Sequence, residues 1–126
     1  MKDRHWISLV TSIRHGQSVL VLGREIPARM ESETQQGDAS MSDALTAKLV
    51  AELEEDNRHV MGDTLPAVAQ QYEDAEEFGA HALRALAEKF YKSPHFAPSQ
   101  THAALAALPF SLILTTNQDN LLTRAL

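Results

Sequence analysis

The polar run at residues 115–120 is the part of this sequence best suited to chemistry. It contains two threonines, Asn117, a glutamine, Asp119 and a second asparagine, and it directly follows the apolar run 112–114. An amide and a carboxylate at this position can hydrogen-bond to a ribose and to a carboxamide. Alternatively, Thr116 or Asn117 can cap a helix that begins after the run. The spacing of the residues supports the two interpretations equally.

A second candidate loop follows the apolar run at residues 19–22 and begins with Gly23. A single glycine after a strand indicates a plain turn as often as a cradle for a phosphate. Both apolar runs are short and uninterrupted, a pattern typical of parallel strands that are buried on both faces. Both loops follow the carboxyl end of a predicted strand, which is where open parallel sheets bind ligands.

Helical sequence separates the two predicted strands and therefore sets the fold class. It favours a parallel, right-handed crossover, since parallel neighbours cannot be joined by a tight turn. Pro27 and Gly37, within a polar stretch that has no apolar period, predict a loop over residues 24–39. We thus expect an α/β fold. Two strands do not make a stable sheet, so we also expect further parallel strands and a longer natural protein.

Apolar positions spaced three or four residues apart predict the helices. Ser40 with Asp43 is typical of a capping box, and Ser99 is typical of a cap for a short helix that ends at Ala106. The apolar stripes are Trp6, Leu9, Val10 and Ile13; Leu45, Leu49 and Leu53; Val68, Ala69 and Tyr72, after Leu65 and Pro66; Phe78, Ala82, Leu86 and Phe90 in a helix that includes Gly79; and Leu121, Leu122 and Ala125.

Composition excludes several classes of function. The chain has 126 residues, a formal net charge of −6 and no cysteine. An acidic chain of pI about 5.4 lacks the basic stripe that a phosphate backbone requires, so no nucleic-acid partner is predicted. The lack of cysteine removes disulfides and thiolate zinc sites from these residues and favours a cytoplasmic location. No apolar run has the length of a signal peptide or a membrane span, so no membrane partner is predicted.

The stretch 98–125 resembles the SIR2 (sirtuin) pattern of proline, histidine, apolar helix, strand and Thr-x-Asn-x-Asp. The Leu108-Pro109-Phe110 sequence before the second strand is similar to the SIR2-like domains of bacterial antiphage defence proteins, more than to protein deacetylases. Residues 19–23 and 65–73 also look like that bacterial group, so the resemblance covers most of the chain. Its matching residues are Pro98, Ser99, Gln100, Thr101, His102, Leu105, Leu108, the segment 112–122 and Ala125.

This resemblance implies a Rossmann-like parallel sheet with an inserted helical module at about residues 40–107, of which residues 1–126 form the N-terminal portion. It implies NAD as the substrate, held across the carboxyl edge of the sheet. Asn117 is assigned to catalysis, as the amide that contacts the nicotinamide ribose and helps to place the attacking water. Asp119 is assigned to the nicotinamide carboxamide. The implied NAD-binding set is Gly23, Arg24, Thr115, Thr116, Asn117 and Asp119.

Two features depart from the sirtuin pattern. Sirtuins usually follow the first strand with a Gly-Ala-Gly turn, whereas Gly23 is followed by Arg24 and Glu25, whose side chains crowd a pyrophosphate near the backbone. Arg24 can instead pair with a phosphate, which Glu25 opposes. The catalytic histidine of the family lies after the Asn-x-Asp loop, beyond Leu126, so we expect further sequence there.

The other polar residues receive ordinary interpretations. The six histidines lack metal-ligand spacing, so no metal site is predicted. His102 is predicted to be a structural, hydrogen-bonding histidine, and the other five to be solvated. The acidic clusters 54–56 and 73–77 are interpreted as solvated helix faces rather than cation sites. Gln70 and Tyr72 fit either a pocket lining or plain packing.

Together these expectations predict an NAD+ hydrolase, acting as the effector domain of a larger cytoplasmic protein in bacterial antiphage defence. The alternative is a catalytically inactive SIR2-like module for nucleotide binding or assembly, which the Gly23-Arg24-Glu25 turn favours. A protein deacylase is the least favoured interpretation, because no part of its zinc-bearing module is visible. A homo-oligomer or larger assembly is expected through regions outside this chain.

Overall fold

The computed structural model describes residues 3–23, 25–31, 36–75 and 79–126. The chain divides into two compact units: unit 1 comprises residues 1–26 and 98–126, and unit 2 comprises residues 27–97. In chain order the elements are α1 (Asp3–Arg14), β1 (Val19–Leu22), β2 (Ala28–Glu31), β3 (Gln36–Ala39), α2 (Met41–Glu55), α3 (Leu65–Asp74), α4 (Gly79–Tyr91), β4 (Phe96–Ala97), α5 (Gln100–Ala106), β5 (Leu112–Thr115) and α6 (Leu121–Ala125).

Unit 1 contains the two predicted strands, and they pair in parallel as expected. Strand β1 lies beside β5 in a register that joins Val19 to Leu112 and Leu22 to Thr115. The chain between them passes through all of unit 2 and α5, which satisfies the need of a parallel pair for a long connection. The mixed α/β fold class is therefore confirmed.

The prediction that these strands are buried on both faces is wrong. Val21 is 68% exposed, and Val19, Leu112 and Leu114 are each about half exposed. Because paired residues of neighbouring strands point to the same side of a sheet, these four side chains form one open apolar face. An apolar run indicates that a strand can be covered on both faces, but it does not supply the covering element.

Helix α1 forms where the apolar stripe predicts it, but its stripe is also open. Gly16, at φ +64°, ends the helix in a left-handed conformation that favours glycine. Trp6 is 53% exposed, and Leu9 and Val10 are exposed as well. Amphipathic spacing thus predicted the helix correctly. It did not predict the exposure of the apolar side, because spacing reports periodicity and not what packs against that side.

Unit 2 has its core on one side of α2. Leu45, Leu49 and Leu53 are buried there at the predicted i, i+4 spacing, together with Val68 and Tyr72 of α3. The predicted capping box is confirmed in part, because the hydroxyl of Ser40 accepts a hydrogen bond from the backbone N–H of Asp43 at 3.1 Å. Ala82, Leu83, Leu86, Ala87 and Phe90 of α4 pack against the same cluster.

The predicted loop over residues 24–39 is wrong for residues 28–31 and 36–39, which form strands. Strand β2 pairs antiparallel with β3, and β4 adds to the other side of β2 to give the order β3-β2-β4. Arg29 lies opposite Asp38, a cross-strand pairing of opposite charges, and Ala28 is buried. The pairing depends on backbone hydrogen bonds, which a polar sequence without apolar alternation does not reveal.

The helix predicted around Gly79 begins at that residue. Gly79 has φ +70°, a conformation that a helix interior does not allow, so it precedes the regular turns of α4. Phe78, which was predicted to open the apolar stripe, lies outside the described residues. Each helix within the described ranges is too short or too polar to cross a lipid bilayer.

A partly buried hydrogen bond joins α3 to α2 in unit 2. The hydroxyl of Tyr72 donates to Oε2 of Glu52 at 2.9 Å, and Lys48 lies 3.5 Å from the other oxygen of that carboxylate. Burial, together with this hydrogen bond to Glu52, raises the pKa of Tyr72 from 10.0 to about 12. Tyr72 is therefore a packing residue. Of the two interpretations that its sequence position allowed, a pocket lining or plain packing, the structure supports packing.

We expect Tyr72 to make stability depend on pH in alkaline solution. In the unfolded chain the hydroxyl ionises at its ordinary pKa of 10.0, but in the folded protein it keeps its proton to about pH 12, so stability present below pH 10 is lost between these values. Tyr72→Phe should be less stable by about 0.5–1.5 kcal/mol near pH 8. That deficit should shrink or reverse above pH 10. Urea unfolding across the pH range measures it.

Tyr91→Phe is the matched control, because it removes the other tyrosine hydroxyl of the chain. It should retain the alkaline loss of stability seen in the parent protein. Identical pH slopes for Tyr72→Phe and the parent would show that the Tyr72 hydroxyl is not held in its protonated form by burial and Glu52.

Candidate functional site

The carboxyl ends of β1 and β5 meet, and this brings both candidate loops to one edge of the unit 1 sheet. Leu22 and Thr115 are partners in the ladder, and the backbone N–H of Thr116 donates to the carbonyl of Leu22 at 3.1 Å. Gly23 therefore lies directly beside the start of the polar loop. The expected convergence of the two loops is confirmed.

Gly23 leaves open space at this edge. Apart from its chain neighbours, a methyl group added at its Cα would meet no described atom within 4 Å, and its φ lies outside the left-handed region. The backbone conformation therefore does not require glycine here, and the described residues leave space for a ligand. Arg24, predicted to bind NAD, lies outside the described residues. Glu25 is half-buried on the same loop.

Two side chains of the polar loop are bound to its own backbone. The Oγ1 of Thr115 accepts a hydrogen bond from the N–H of Asn117 at 3.0 Å. The Oδ1 of Asp119 accepts one from the N–H of Leu121, also at 3.0 Å, at the start of α6. The capping function proposed for Thr116 or Asn117 is thus carried out by Asp119, because a carboxylate one residue before the N-cap reaches the first helical amide.

Asn117 differs from its neighbours in the loop. Its side chain is half-buried, and among the residues that the structure describes its carboxamide has no hydrogen-bond partner. An uncommitted carboxamide carries two donors and one acceptor oxygen. Thr115 and Asp119 each use an oxygen on a loop amide, whereas the Asn117 carboxamide makes no hydrogen bond to the described residues.

Asp119 retains part of its predicted capacity. It is half-buried, and only Oδ1 is engaged by the Leu121 amide. Its second oxygen can still accept a hydrogen bond from a ligand amide, since an ionised carboxylate has about four acceptor sites. Thr116 is exposed and contributes its backbone to the link with Leu22.

His102 acts as a structural residue, as predicted. It is buried, and its Nδ1 accepts a hydrogen bond from the backbone N–H of Ser99 at 3.1 Å, with the Ser99 hydroxyl 2.9 Å away. It thereby occupies the third helical position of a capping box on α5, where Glu or Gln is common. The other five histidines are all exposed: His5, His15, His59, His81 and His95.

The acidic clusters mostly face solvent where the structure describes them. Glu54 and Glu55 are exposed, and Asp56 forms an ion pair with Arg58 at 3.0 Å. In the described part of the chain no three histidine or acidic side chains converge as metal ligands. Glu76 and Glu77 lie outside that part.

Comparison with known proteins gives this chain no relative. No protein-family model matches it, and searches of curated proteins and of solved structures find no significant match. The similarity to SIR2-like domains thus stands on the residues quoted from the sequence, and the function that it implies is a proposal.

Proposed function

We propose that this chain forms the NAD+-binding edge of a SIR2-like NAD+ hydrolase, an effector enzyme of bacterial antiphage defence. The observation that carries the proposal is the position of Asn117. Its free carboxamide lies on a loop that is hydrogen-bonded to the end of β1, at the sheet edge where open α/β sheets bind nucleotides.

The proposed reaction is hydrolysis of the bond between nicotinamide and ribose. Water attacks C1′ of that ribose, the C–N bond breaks, and its electron pair goes to the ring nitrogen of nicotinamide. The products are ADP-ribose, nicotinamide and a proton. Positive charge develops on the ribose as the bond breaks, so a fixed amide that holds the ribose hydroxyls and the attacking water favours the transition state.

Asp119 would serve the nicotinamide end of the substrate, and Gly23 would serve its central pyrophosphate. The free oxygen of Asp119 would accept a hydrogen bond from the nicotinamide carboxamide, which fixes the leaving group. The open space at Gly23 would admit the pyrophosphate close to the backbone. Gly23 lies beside the start of the loop that carries Asn117 and Asp119, so one extended dinucleotide would reach all three.

Binding and cleavage are tested separately. Binding of NAD+ by this chain should raise its thermal midpoint, with a stabilisation of about 2.7 kcal/mol when NAD+ is at 100 times its Kd. The full-length protein, once activated, should release nicotinamide, which chromatography detects. Binding without any release would favour the second candidate, a nucleotide-binding module. Asp119 supports that candidate, because one of its oxygens is already used by the Leu121 amide. If the protein neither binds NAD+ nor releases nicotinamide, both candidate functions are excluded.

Gly23 offers a substitution that separates binding from folding. Gly23→Ala and Gly23→Val should leave the stability of the free protein within about 0.5 kcal/mol, since nothing lies within 4 Å of the added carbon. The same groups should obstruct the pyrophosphate and weaken NAD+ binding, by about tenfold or more for valine. Calorimetric titration of the parent and both variants measures this. Equal affinity in all three proteins would place the pyrophosphate elsewhere.

A further inference from the structure

Thr115 stands at the junction between the unit 1 sheet and the candidate site. It is the last residue of β5, where its backbone pairs with Leu22. Its hydroxyl points along the loop and accepts the N–H of Asn117 at 3.0 Å. One residue thus belongs both to the rigid ladder and to the turn that carries the proposed catalytic amide.

The peptide between these two residues is fixed as well. The N–H of Thr116 donates to the carbonyl of Leu22 at 3.1 Å. Consecutive amides at positions 116 and 117 are therefore held, one by the neighbouring strand and one by the Thr115 hydroxyl. The Asn117 side chain, by contrast, makes no hydrogen bond to the described residues.

We infer that Thr115 is a positioning residue: its hydroxyl sets the backbone from which the Asn117 carboxamide reaches the nicotinamide ribose. This inference rests on the proposed NAD+ cleavage. Thr115 would assist cleavage of the nicotinamide–ribose bond rather than binding of NAD+. In that step the Asn117 carboxamide must be correctly oriented toward the water and the ribose as charge develops. Displacing a reacting group by about 1 Å can cost on the order of 100-fold in rate.

The side chain of threonine suits this role in two respects. Its hydroxyl is short enough to reach the amide two residues ahead, as in other turns capped by serine or threonine. Its β-branch restricts χ1, so less rotamer freedom is lost when the hydroxyl is held. Serine keeps the acceptor without the branch, and valine keeps the branch without the acceptor, so the two substitutions separate these contributions.

The test compares Thr115→Val and Thr115→Ser in the full-length protein. Valine should lower kcat for nicotinamide release by about 10- to 100-fold while KM changes less than about threefold. Serine should restore most of the rate. Thr123→Val, an exposed threonine on α6, is the control for loss of a hydroxyl elsewhere in unit 1 and should leave the rate unchanged.

Amide hydrogen exchange gives a readout that does not depend on activity. The Asn117 amide should exchange faster in Thr115→Val than in the parent, and at the parent rate in Thr115→Ser and Thr123→Val. Unchanged exchange in Thr115→Val, or an unchanged kcat in an active enzyme, would overturn the positioning role. No nicotinamide release by the parent protein would instead overturn the proposed function, whatever the exchange data show of the hydrogen bond.

Discussion

Replacing Asn117 with alanine is expected to reduce nicotinamide release by the full-length protein by about 100- to 1,000-fold, the usual cost of removing one preorganised hydrogen-bonding group from a transition state. The reason lies in the loop geometry. The Asn117 amide is held by Thr115 at 3.0 Å, while its carboxamide makes no hydrogen bond to the described part of the protein. Truncation therefore removes a group available to the substrate and breaks no side-chain hydrogen bond within the described part of the protein.

Gln118→Ala is the matched control for this prediction. Gln118 is the next residue, it carries the same functional group, and its side chain is exposed. Both variants should unfold at the parent temperature, and Gln118→Ala should keep the parent rate within about a factor of three. If Asn117→Ala releases nicotinamide at the parent rate, or if the two variants lose the same fraction of that rate, Asn117 has no specific part in the reaction.

The sequence predicted the elements of unit 1 better than their surroundings. The apolar runs at β1 and β5 identified two strands, and the long helical connection between them is consistent with the parallel pair that forms. Periodicity also placed α1 correctly. Neither pattern specifies what lies against an apolar side chain, which is why Val21 and Trp6 were expected inside and are found exposed.

Unit 2 shows the opposite limitation. The stripe of Leu45, Leu49 and Leu53 predicted the core because every fourth residue of a helix lies on the same side. The pairing of β2 with β3 was not predicted, since Arg29 and Asp38 lie opposite each other in a segment with no apolar alternation. Strand pairing depends on residues that are distant in sequence, and polar strands lack the alternating apolar pattern from which a strand is predicted.

The candidate site was predictable in location but not in detail. Strand order and direction are enough to bring Gly23 beside Asn117 at one sheet edge. Which polar group is bound and which is free depends on hydrogen bonds between near neighbours. Thr115 and Asp119 looked like ligand contacts from their types, yet each has an oxygen bound to a loop amide.

The largest expected effect on stability belongs to Leu49 in the middle of α2. Its side chain is fully buried, at 0% exposure, in the cluster that joins α2 to α3. Leu49→Ala should lower the free energy of unfolding by about 2–5 kcal/mol, from lost burial and from the cavity that remains. A protein of this size has about 5–15 kcal/mol in total, so the variant should lie close to its limit of stability. Urea unfolding followed by helical circular dichroism measures the loss.

Leu114→Ala provides the comparison, because it makes the same chemical change at a half-exposed position on the open face of β5. That face loses little apolar contact when a methyl-sized side chain replaces leucine, so the loss should stay below about 1 kcal/mol. A loss at Leu114 as large as that at Leu49 would mean that the sheet face of unit 1 is covered in solution. A small loss at Leu49 would mean that α2 does not carry the core of unit 2.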